Sequence, residues 1–161
     1  MRNLFFYRFP LGVLGIVEEE GSLTGVFFGR EPPASLRTAG FETAETPVIK
    51  KAAVQLEEYF AGKRRNFDLP LAPRGTAFQL LIWKALRGIP YGTTLSYGEL
   101  AARAGRPRAC RAAGMANNRN PIVIIIPCHR VIGKNGDLTG YGGGLPVKEY
   151  LLALEAGRAG N

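Results

Sequence analysis

The sequence predicts an α/β fold, in which a small N-terminal lobe with an antiparallel sheet and a helix precedes a mostly helical C-terminal lobe. Apolar segments rich in aromatic and β-branched residues, separated by Gly and Pro, occupy the start of the chain. Helix-start signals and helical apolar spacing dominate after residue 75. A basic, proline-punctuated stretch at 63–73 separates the two patterns. We therefore expect an N-terminal domain over 1–72 and a second domain over 73–161.

Three strands and one helix are expected in the first domain. The strands are predicted at Leu4–Phe9, Gly12–Glu18 and Ser22–Gly29, where Gly and Pro punctuate the apolar runs. Thr46 is a candidate N-cap, and Pro47 suits the first turn of the helix. Its apolar stripe consists of Val48, Ala52, Leu56 and Tyr59.

Two capping boxes predict helix starts in the second domain. Thr76 and Gln79 form the first, and Ser96 and Glu99 form the second, whose short helix stops at Gly105. A helix beginning at Pro107 and running to about residue 118 follows at once. Two short helices joined by a tight turn outline a helix-turn-helix.

The last third of the chain surrounds a cysteine. A continuous apolar run at 123–126 predicts a buried strand, and Cys128 follows it directly after Pro127. Pro146 begins a final helix that runs to about Glu155.

The charge balance indicates a polyanionic partner. Lys and Arg number 21 against 13 Asp and Glu, which gives a net charge of +8 and a pI near 9.9. Phosphates attract such a surface because each one neutralised releases counterions. The alternative is a basic surface that only keeps the protein in solution.

The few cysteines and the single histidine limit other classes of function. Two cysteines form no disulfide framework, so we expect a reducing, cytoplasmic compartment. One His and two Cys are too few for a tetrahedral zinc site unless carboxylates contribute ligands, so we expect no metal. The apolar start is broken by Arg8 and Pro10, and no apolar run approaches the length of a membrane span.

Cys128 and His129 are a candidate nucleophile and base, because an imidazole can help to populate the reactive thiolate. Adjacent residues of a regular strand point to opposite faces. A direct pair therefore requires the chain to leave strand geometry at Pro127, or a water to bridge the two. The competing interpretation is a structural cysteine beside an incidental histidine.

Glu155 is a candidate partner of the histidine. It shares a helix face with Leu151 and Leu152, and that face should be buried. A buried carboxylate needs a partner, and an imidazole N–H would satisfy both groups. The alternative is a solvated glutamate near the helix end.

Arg111 lies among small residues on the second helix of the predicted helix-turn-helix. A nearly bare helix can approach a narrow groove closely, and one long cationic side chain could then enter a base stack. The alternative is an internal helix whose arginine is only a surface charge. Four further arginines favour contacts with phosphates: Arg103, Arg106, Arg108 and Arg119.

These residues resemble the O6-alkylguanine-DNA alkyltransferases. The signature of that family is matched by Asn120-Pro121 and by 125–131, which contains the Pro-Cys-His-Arg run. Further matching motifs lie at 75–79, 89–92, 96–97, 111–112, 140–141, 148 and 151–155. The match covers essentially all of 73–156 without shifts in spacing, whereas the first lobe matches only loosely.

The resemblance implies an irreversible, single-turnover transfer of an alkyl group from O6 of guanine, or from O4 of thymine, to Cys128. His129 would deprotonate the thiol through a water, Glu155 would hold His129, and Asn120 would brace the turn. The implied partner is double-stranded DNA containing O6-alkylguanine, and we expect a monomer without a cofactor.

Further roles follow from the resemblance for residues that contact the DNA. Tyr97 would push the phosphate as the nucleotide rotates, and Arg111 would fill the gap in the stack. Backbone carbonyls of Cys128 and Val131 would read the guanine amino group, and the N–H of Gly142 would face O6. Tyr141 would line the pocket, and the small Ala112 and Gly114 would let the helix approach the groove.

The sequence departs from the family pattern at a few positions. The first lobe lacks the residues that hold zinc in some relatives, and Gly142 stands where some relatives have Ser. Two other classes of protein remain open from the residues alone. A cysteine hydrolase would leave the basic helix-turn-helix unexplained, and a non-catalytic DNA-binding module would leave Cys128, His129 and Glu155 unexplained.

Overall fold

The chain forms two compact units. The computed structural model describes residues 2–37, 40–136, 138, 140–141 and 143–157. One unit comprises 1–74 together with 121–123, and the other comprises 75–120 and 124–161. The short piece 121–123 clusters with the first unit because Ile122 forms a bridge with Val26 of its sheet. A single boundary near residue 72 does not account for this piece.

The first unit contains a four-stranded sheet. Strands β1 (Arg2–Phe9), β2 (Gly12–Glu19) and β3 (Ser22–Phe28) are antiparallel, as the sequence predicted. A short strand β4 (Glu42–Thr43) adds to β1 in parallel, which gives the order β3-β2-β1-β4. The parallel addition was not predicted, because two polar residues carry no strand signal.

Helix α1 (Pro47–Phe60) packs on this sheet. Thr46 is the N-cap residue and Pro47 begins the helix, as expected. The buried stripe differs slightly from the prediction, since Ile49 is fully buried and Val48 is only half-buried. Ala52, Leu56 and Tyr59 are fully buried.

The second unit is mostly helical. It contains α2 (Ala77–Arg87), α3 (Tyr97–Arg103), α4 (Cys110–Asn118) and α5 (Leu145–Glu155). Two short strands, β5 (95–96) and β6 (131–132), pair in parallel. No helix in the described part of the chain is long and apolar enough to cross a membrane.

Both capping boxes predicted from the sequence are present. The Thr76 hydroxyl accepts from the Gln79 N–H at 3.1 Å, and the Gln79 side chain accepts from the Thr76 N–H at 3.0 Å. Ser96 and Glu99 make the same two bonds at 3.1 and 2.9 Å. These bonds fix where α2 and α3 begin.

Two sequence predictions for the part of the chain after residue 75 are wrong. The run 123–126 is a turn rather than a strand, and Ile124 lies in the left-handed region at φ 70°. Helix α4 begins at Cys110 rather than Pro107, because residues 107–108 form a turn and Ala109, at φ −102° and ψ 34°, is the N-cap. Proline at a first helical position and proline in a turn give the same sequence signal.

Helices α3 and α4 form the predicted helix-turn-helix and pack on α2. Leu100 and Ala101 of α3 and Ala113 and Ala116 of α4 are buried. The Trp83 indole N–H donates to the Ala116 carbonyl at 2.9 Å, which anchors α4 to α2.

Candidate active site and DNA-binding helix

The backbone turns sharply just before Cys128. Pro127 has φ −82° and ψ 64°, and the Cys128 N–H donates to the Ile126 carbonyl at 2.8 Å. This is an inverse γ-turn. A single 3₁₀ turn, Cys128–Arg130, follows it. The chain therefore leaves strand geometry at Pro127, which was the condition for His129 and Cys128 to act together.

The side chain of Asn120 ties this turn together. Its Nδ2 donates to the Ile126 carbonyl at 2.7 Å. Asn120 also forms a hydrogen bond with Cys128 that lowers the pKa of the thiol. One side chain thus contacts both the turn and the sulfur.

The Cys128 thiol is almost entirely buried, at 4% exposure. Burial raises its pKa from 9.0 to about 11, and the smaller opposing effects of Asn120 and Lys148 do not cancel that increase. The resting thiol is therefore protonated at neutral pH. A base is needed before sulfur can act as a nucleophile.

His129, the next residue, is held in the protonation state that a base would need. Its Nε2 lies 2.7 Å from Oε2 of Glu155, and the two side chains are 0% and 1% exposed. A carboxylate only accepts hydrogen bonds, so Nε2 carries the proton and Nδ1 keeps a lone pair. Nδ1 has no hydrogen-bond partner among the described residues. Burial, together with the nearby charges of Arg130 and Lys148, lowers the pKa of His129 despite the opposing effect of Glu155, so the ring is neutral.

The solvated alternative for Glu155 is wrong, because three groups hold its carboxylate. Arg130 donates to both oxygens, at 2.8 Å from Nε and 2.9 Å from Nη2, and the Gly92 N–H adds a long bond at 3.4 Å. Burial alone would raise the pKa of Glu155, but the hydrogen bonds from His129 and Arg130 bring it well below its usual value. The carboxylate is therefore charged and fixed in place.

Arg130 is a site residue that sequence reasoning missed. Besides Glu155, its guanidinium donates to the Ile89 carbonyl at 2.7 Å. It thus joins the cysteine turn, helix α5 and the segment after α2. Its position beside His129 in the sequence was a usable signal, because a buried glutamate needs more charge compensation than one neutral imidazole can give.

Lys148 is the second residue that sequence reasoning left without a role. Its side chain is fully buried on α5, seven positions before Glu155 and on the same helix face. Burial lowers the pKa of Lys148, and the nearby Cys128 sulfur raises it again. A cation at this position favours the thiolate over the thiol.

Tyr141 lies beside the sulfur. Burial, followed by the charges of Cys128 and Glu155, raises the pKa of its phenol well above the ordinary value. The hydroxyl therefore stays protonated and can donate a hydrogen bond towards sulfur. Gly142, the next residue and the expected donor to O6, lies outside the described residues.

The backbone carbonyl of Cys128 already accepts hydrogen bonds within the protein. The Cys128 carbonyl accepts from the Val131 N–H and, at 3.4 Å, from Nδ2 of the buried Asn117. Both acceptor directions of that oxygen are in use, so it can bind a ligand amino group only where the longer bond yields. Val131 is fully buried in β6 and pairs with Leu95.

Tyr97 and Gly114 are in contact across the helix-turn-helix. Tyr97 is the first residue of α3, and its ring lies over Gly114 of α4. A Cβ at Gly114 would lie 3.3 Å from Cδ1 of Tyr97, which is closer than most carbon contacts. The glycine therefore lets the tyrosine ring rest on the helix backbone.

Helix α4 presents one face to solvent. Arg111 and Ala112 are exposed, whereas Ala113, Ala116 and Asn117 are buried. The alternative of an internal helix is therefore wrong.

Comparison with known proteins identifies both units. Residues 77–157 match the family described as "6-O-methylguanine DNA methyltransferase, DNA binding domain". Residues 5–73 match its "ribonuclease-like domain". The chain belongs to the 6-O-methylguanine DNA methyltransferase family. This membership agrees with the resemblance that the cysteine motif and its flanking segments had indicated.

Members of this family from distant organisms resemble the chain over most of its length. A methylated-DNA–protein-cysteine methyltransferase of Methanosarcina acetivorans is 61% identical over 150 residues, which cover 92% of this chain and 95% of the relative. The constitutive enzyme of Bacillus subtilis is 48% identical over 149 residues, covering 91% and 90%. The structure of Mycobacterium tuberculosis OGT in complex with DNA superimposes with a TM-score of 0.87 at 46% identity, covering 98% of this chain and 94% of that one.

The structure of this family member brings most of the sequence-predicted site residues into one unit. Cys128 has Asn120, Tyr141 and Lys148 around it, and His129 follows on the same turn with its Nε2 on Glu155. Tyr97 and Gly114 touch one another, and Arg111 and Ala112 lie on the exposed face of α4. In the described part of the chain, no three His, Cys, Asp or Glu side chains cluster as metal ligands would.

Proposed function

We propose that this protein repairs DNA by direct reversal of alkylation. It transfers a methyl group, or another alkyl group, from O6 of guanine irreversibly to Sγ of Cys128, and O4-alkylthymine is a second candidate substrate. The observation that carries the proposal is a buried thiol flanked by a neutral imidazole whose Nε2 is fixed on a charged carboxylate. Family membership supplies the substrate class.

The transfer consumes one thiol for each alkyl group. As sulfur attacks the alkyl carbon, Nδ1 of His129 takes the thiol proton through a water, a C–S bond forms and the bond from carbon to O6 breaks. The electron pair of that bond goes to guanine, where hydrogen bonds stabilise the developing charge. The dealkylated guanine then takes a proton at N1, and His129 returns to its neutral form by releasing the thiol proton, so the charges balance. A thioether has no easy hydrolysis route, so each molecule acts once.

Proton removal and attack are coupled in this scheme. With a thiol pKa of about 11 and a histidine pKa below 6.5, a free thiolate–imidazolium pair is unfavourable in the resting protein. The buried Lys148 and the Asn120 hydrogen bond both oppose that cost, since both lower the pKa of the thiol. In this scheme the sulfur therefore reacts with an alkyl group on a base bound in the site and not with electrophiles in solution.

The base must leave the stack to reach Cys128, at a cost of a few kcal/mol. In this proposal Arg111 fills the gap that the base leaves, and Tyr97 pushes the phosphate and bonds the rotated base. Ala112 and Gly114 let α4 enter the minor groove closely.

The rotated guanine is read mainly by backbone groups. The Val131 carbonyl accepts from the guanine amino group, with the Cys128 carbonyl as a second acceptor where the Asn117 bond yields. The family resemblance assigns the hydrogen bond to O6 to Gly142, and in this proposal Tyr141 lines the pocket. In this scheme backbone hydrogen bonds to the edge of the base select guanine, and the shape of the pocket decides which alkyl groups fit.

We also propose the setting of the reaction. The partner is double-stranded DNA containing O6-alkylguanine, bound mostly through its phosphates and therefore sensitive to salt. The protein acts as a cytoplasmic monomer without a cofactor or a membrane contact. The net charge of +8 supports the phosphate contacts.

Mass spectrometry of the intact protein tests the proposal. After incubation with excess duplex DNA that contains O6-methylguanine, the protein should gain one methyl group, located on Cys128. Cys128→Ala should gain none, whereas Cys110→Ala, which removes the exposed second cysteine, should still gain one. More than one equivalent of repaired guanine per protein molecule, or ester hydrolysis without DNA, would contradict the proposal.

A further inference from the structure

Helix α4 carries a large apolar side chain on its solvent face. Met115 is 58% exposed, more than any other large hydrophobic residue in the described part of the chain. Three others are exposed at 41–48%: Val54, Leu80 and Leu145. A single exposed apolar residue is ordinary in a soluble protein. Its position on the helix is what makes Met115 informative.

Met115 lies between two arginines on one face of α4. Arg111 is one helical turn before it and Arg119, the C-cap residue, is one turn after it, and all three are exposed. The opposite face, with Ala113 and Ala116, is buried. The exposed stripe of the helix therefore consists of a cation, a thioether and a second cation in that order.

The spacing of this stripe suits a nucleic-acid groove. Eight residues of helix rise about 12 Å, so the two guanidinium groups can reach sites on either side of the residue midway between them. Phosphates attract the two cations, but they do not attract a thioether. An apolar side chain at the middle of such a contact is stabilised only by base faces, base edges or sugar carbons.

We propose that Met115 is an apolar wedge that packs against the bases beside the Arg111 position and holds the stack open while the target nucleotide is rotated out. This inference rests on the proposed function, since it needs α4 to lie in the groove. Proteins that open the minor groove commonly use such apolar wedges, and an unbranched methionine adapts to an irregular gap. Arg111 then supplies charge and Met115 supplies contact area.

The inference predicts an effect that depends on the form of the substrate. A wedge matters for a base that must leave a duplex and is irrelevant to the free nucleobase O6-methylguanine, which is already unstacked. The quantity to measure is the ratio of two rates of methyl transfer to Cys128, with methylated duplex DNA and with the free nucleobase. A defect in folding or in the thiol would lower both rates and leave the ratio unchanged.

Three variants test this ratio. Met115→Ala should lower it by about tenfold, which is the loss expected when a buried thioether chain is truncated. Met115→Leu should recover most of the ratio, since it restores apolar volume. Leu80→Ala is the matched control, because it removes an exposed apolar side chain from α2, where the neighbouring exposed residues are Lys84 and Arg87.

Each outcome either supports or overturns the proposed role of Met115. A fall in the ratio that is confined to Met115→Ala and reversed in Met115→Leu supports the wedge. An unchanged ratio in Met115→Ala, or an equal fall in Leu80→Ala, overturns it while leaving the proposed function standing. A wild-type protein that takes no methyl group from either substrate overturns the proposed function, and the wedge with it.

Discussion

Arg130 donates two hydrogen bonds to the carboxylate of Glu155, at 2.8 and 2.9 Å, from the same 3₁₀ turn that carries the cysteine. His129 shares that carboxylate at 2.7 Å. The Glu155 carboxylate therefore both forms the ion pair with Arg130 and orients the His129 ring. Disturbing the arginine should disturb the histidine as well.

Replacing Arg130 should cost more stability than replacing an exposed arginine. Arg130→Gln leaves the Glu155 charge without its bidentate partner, and breaking one side of a buried pair typically costs about 3–5 kcal/mol. Urea unfolding at neutral pH measures the loss. The control Arg87→Gln, on the exposed surface of α2, should change the free energy of unfolding by less than about 0.5 kcal/mol. Equal effects of the two changes would show that the buried pair adds no stability.

The rate of methyl transfer should fall in acid and not near neutrality. Burial keeps the pKa of His129 below its ordinary 6.5, so the ring stays neutral at pH 7 and gains a proton only at lower pH. Protonation removes the lone pair on Nδ1 that accepts the thiol proton. Single-turnover rates at saturating duplex DNA should therefore be level between about pH 7 and pH 8 and decline below the ordinary histidine value. A rate that already halves between pH 8 and pH 7 would contradict a neutral His129.

The buried thiol should make the protein less stable in alkali. The unfolded thiol loses its proton near pH 9.0, whereas the folded thiol holds it to about pH 11. Between these values the unfolded state has bound fewer protons, so stability falls as the pH rises. Two pH units correspond to about 2–3 kcal/mol.

The two cysteines give a direct comparison for that effect. Cys128→Ala should lose less stability than the wild type between pH 9 and pH 11, measured by urea unfolding at each pH. Cys110→Ala should follow the wild type, because Cys110 is exposed. Parallel curves for all three proteins would mean that burial does not hold the proton on Cys128.

Gly114→Ala should separate helix stability from repair. Alanine gains about 1 kcal/mol over glycine inside a helix, so α4 itself should not be weakened. The new Cβ would meet Tyr97 at 3.3 Å and shift its ring, so transfer from duplex DNA should slow several-fold. Gly98→Ala on α3 is the control, because its Cβ would meet only Ser96 Oγ at 3.9 Å. Equal rates in the two variants would remove any role for the Tyr97–Gly114 contact.

The sequence predicted those parts of the fold that depend on local signals. Both capping boxes were recognisable because the side chain and the N–H that it bonds lie three residues apart. The three long strands were recognisable from their composition and their Gly and Pro boundaries. The run 123–126 was wrongly predicted as a strand because hydrophobicity indicates that residues are buried and does not indicate their backbone conformation. Ile124 is buried in the left-handed region, which no apolar pattern encodes.

The candidate site was predictable where the motif is contiguous and less so where it depends on distant contacts. Cys128 and His129 stand side by side, and the apolar face of α5 pointed to a buried Glu155. The role of Arg130 was missed because its partner, Glu155, lies 25 residues further along the sequence on a helix. The role of Lys148 was missed because the neighbouring Cys128 sulfur is also distant in the sequence. Such contacts become visible only when the chain is folded.

The separation of 26 positions between His129 and Glu155 in the sequence also bears on how the protein is made. A ribosome releases the chain from its N-terminal end, so the cysteine turn emerges before the helix that bears the carboxylate. Until α5 docks, the imidazole has nothing to fix its tautomer and the arginine has no counterion. A nascent chain therefore carries an ordinary thiol, and its sulfur becomes a selective acceptor only as the final helix folds onto it.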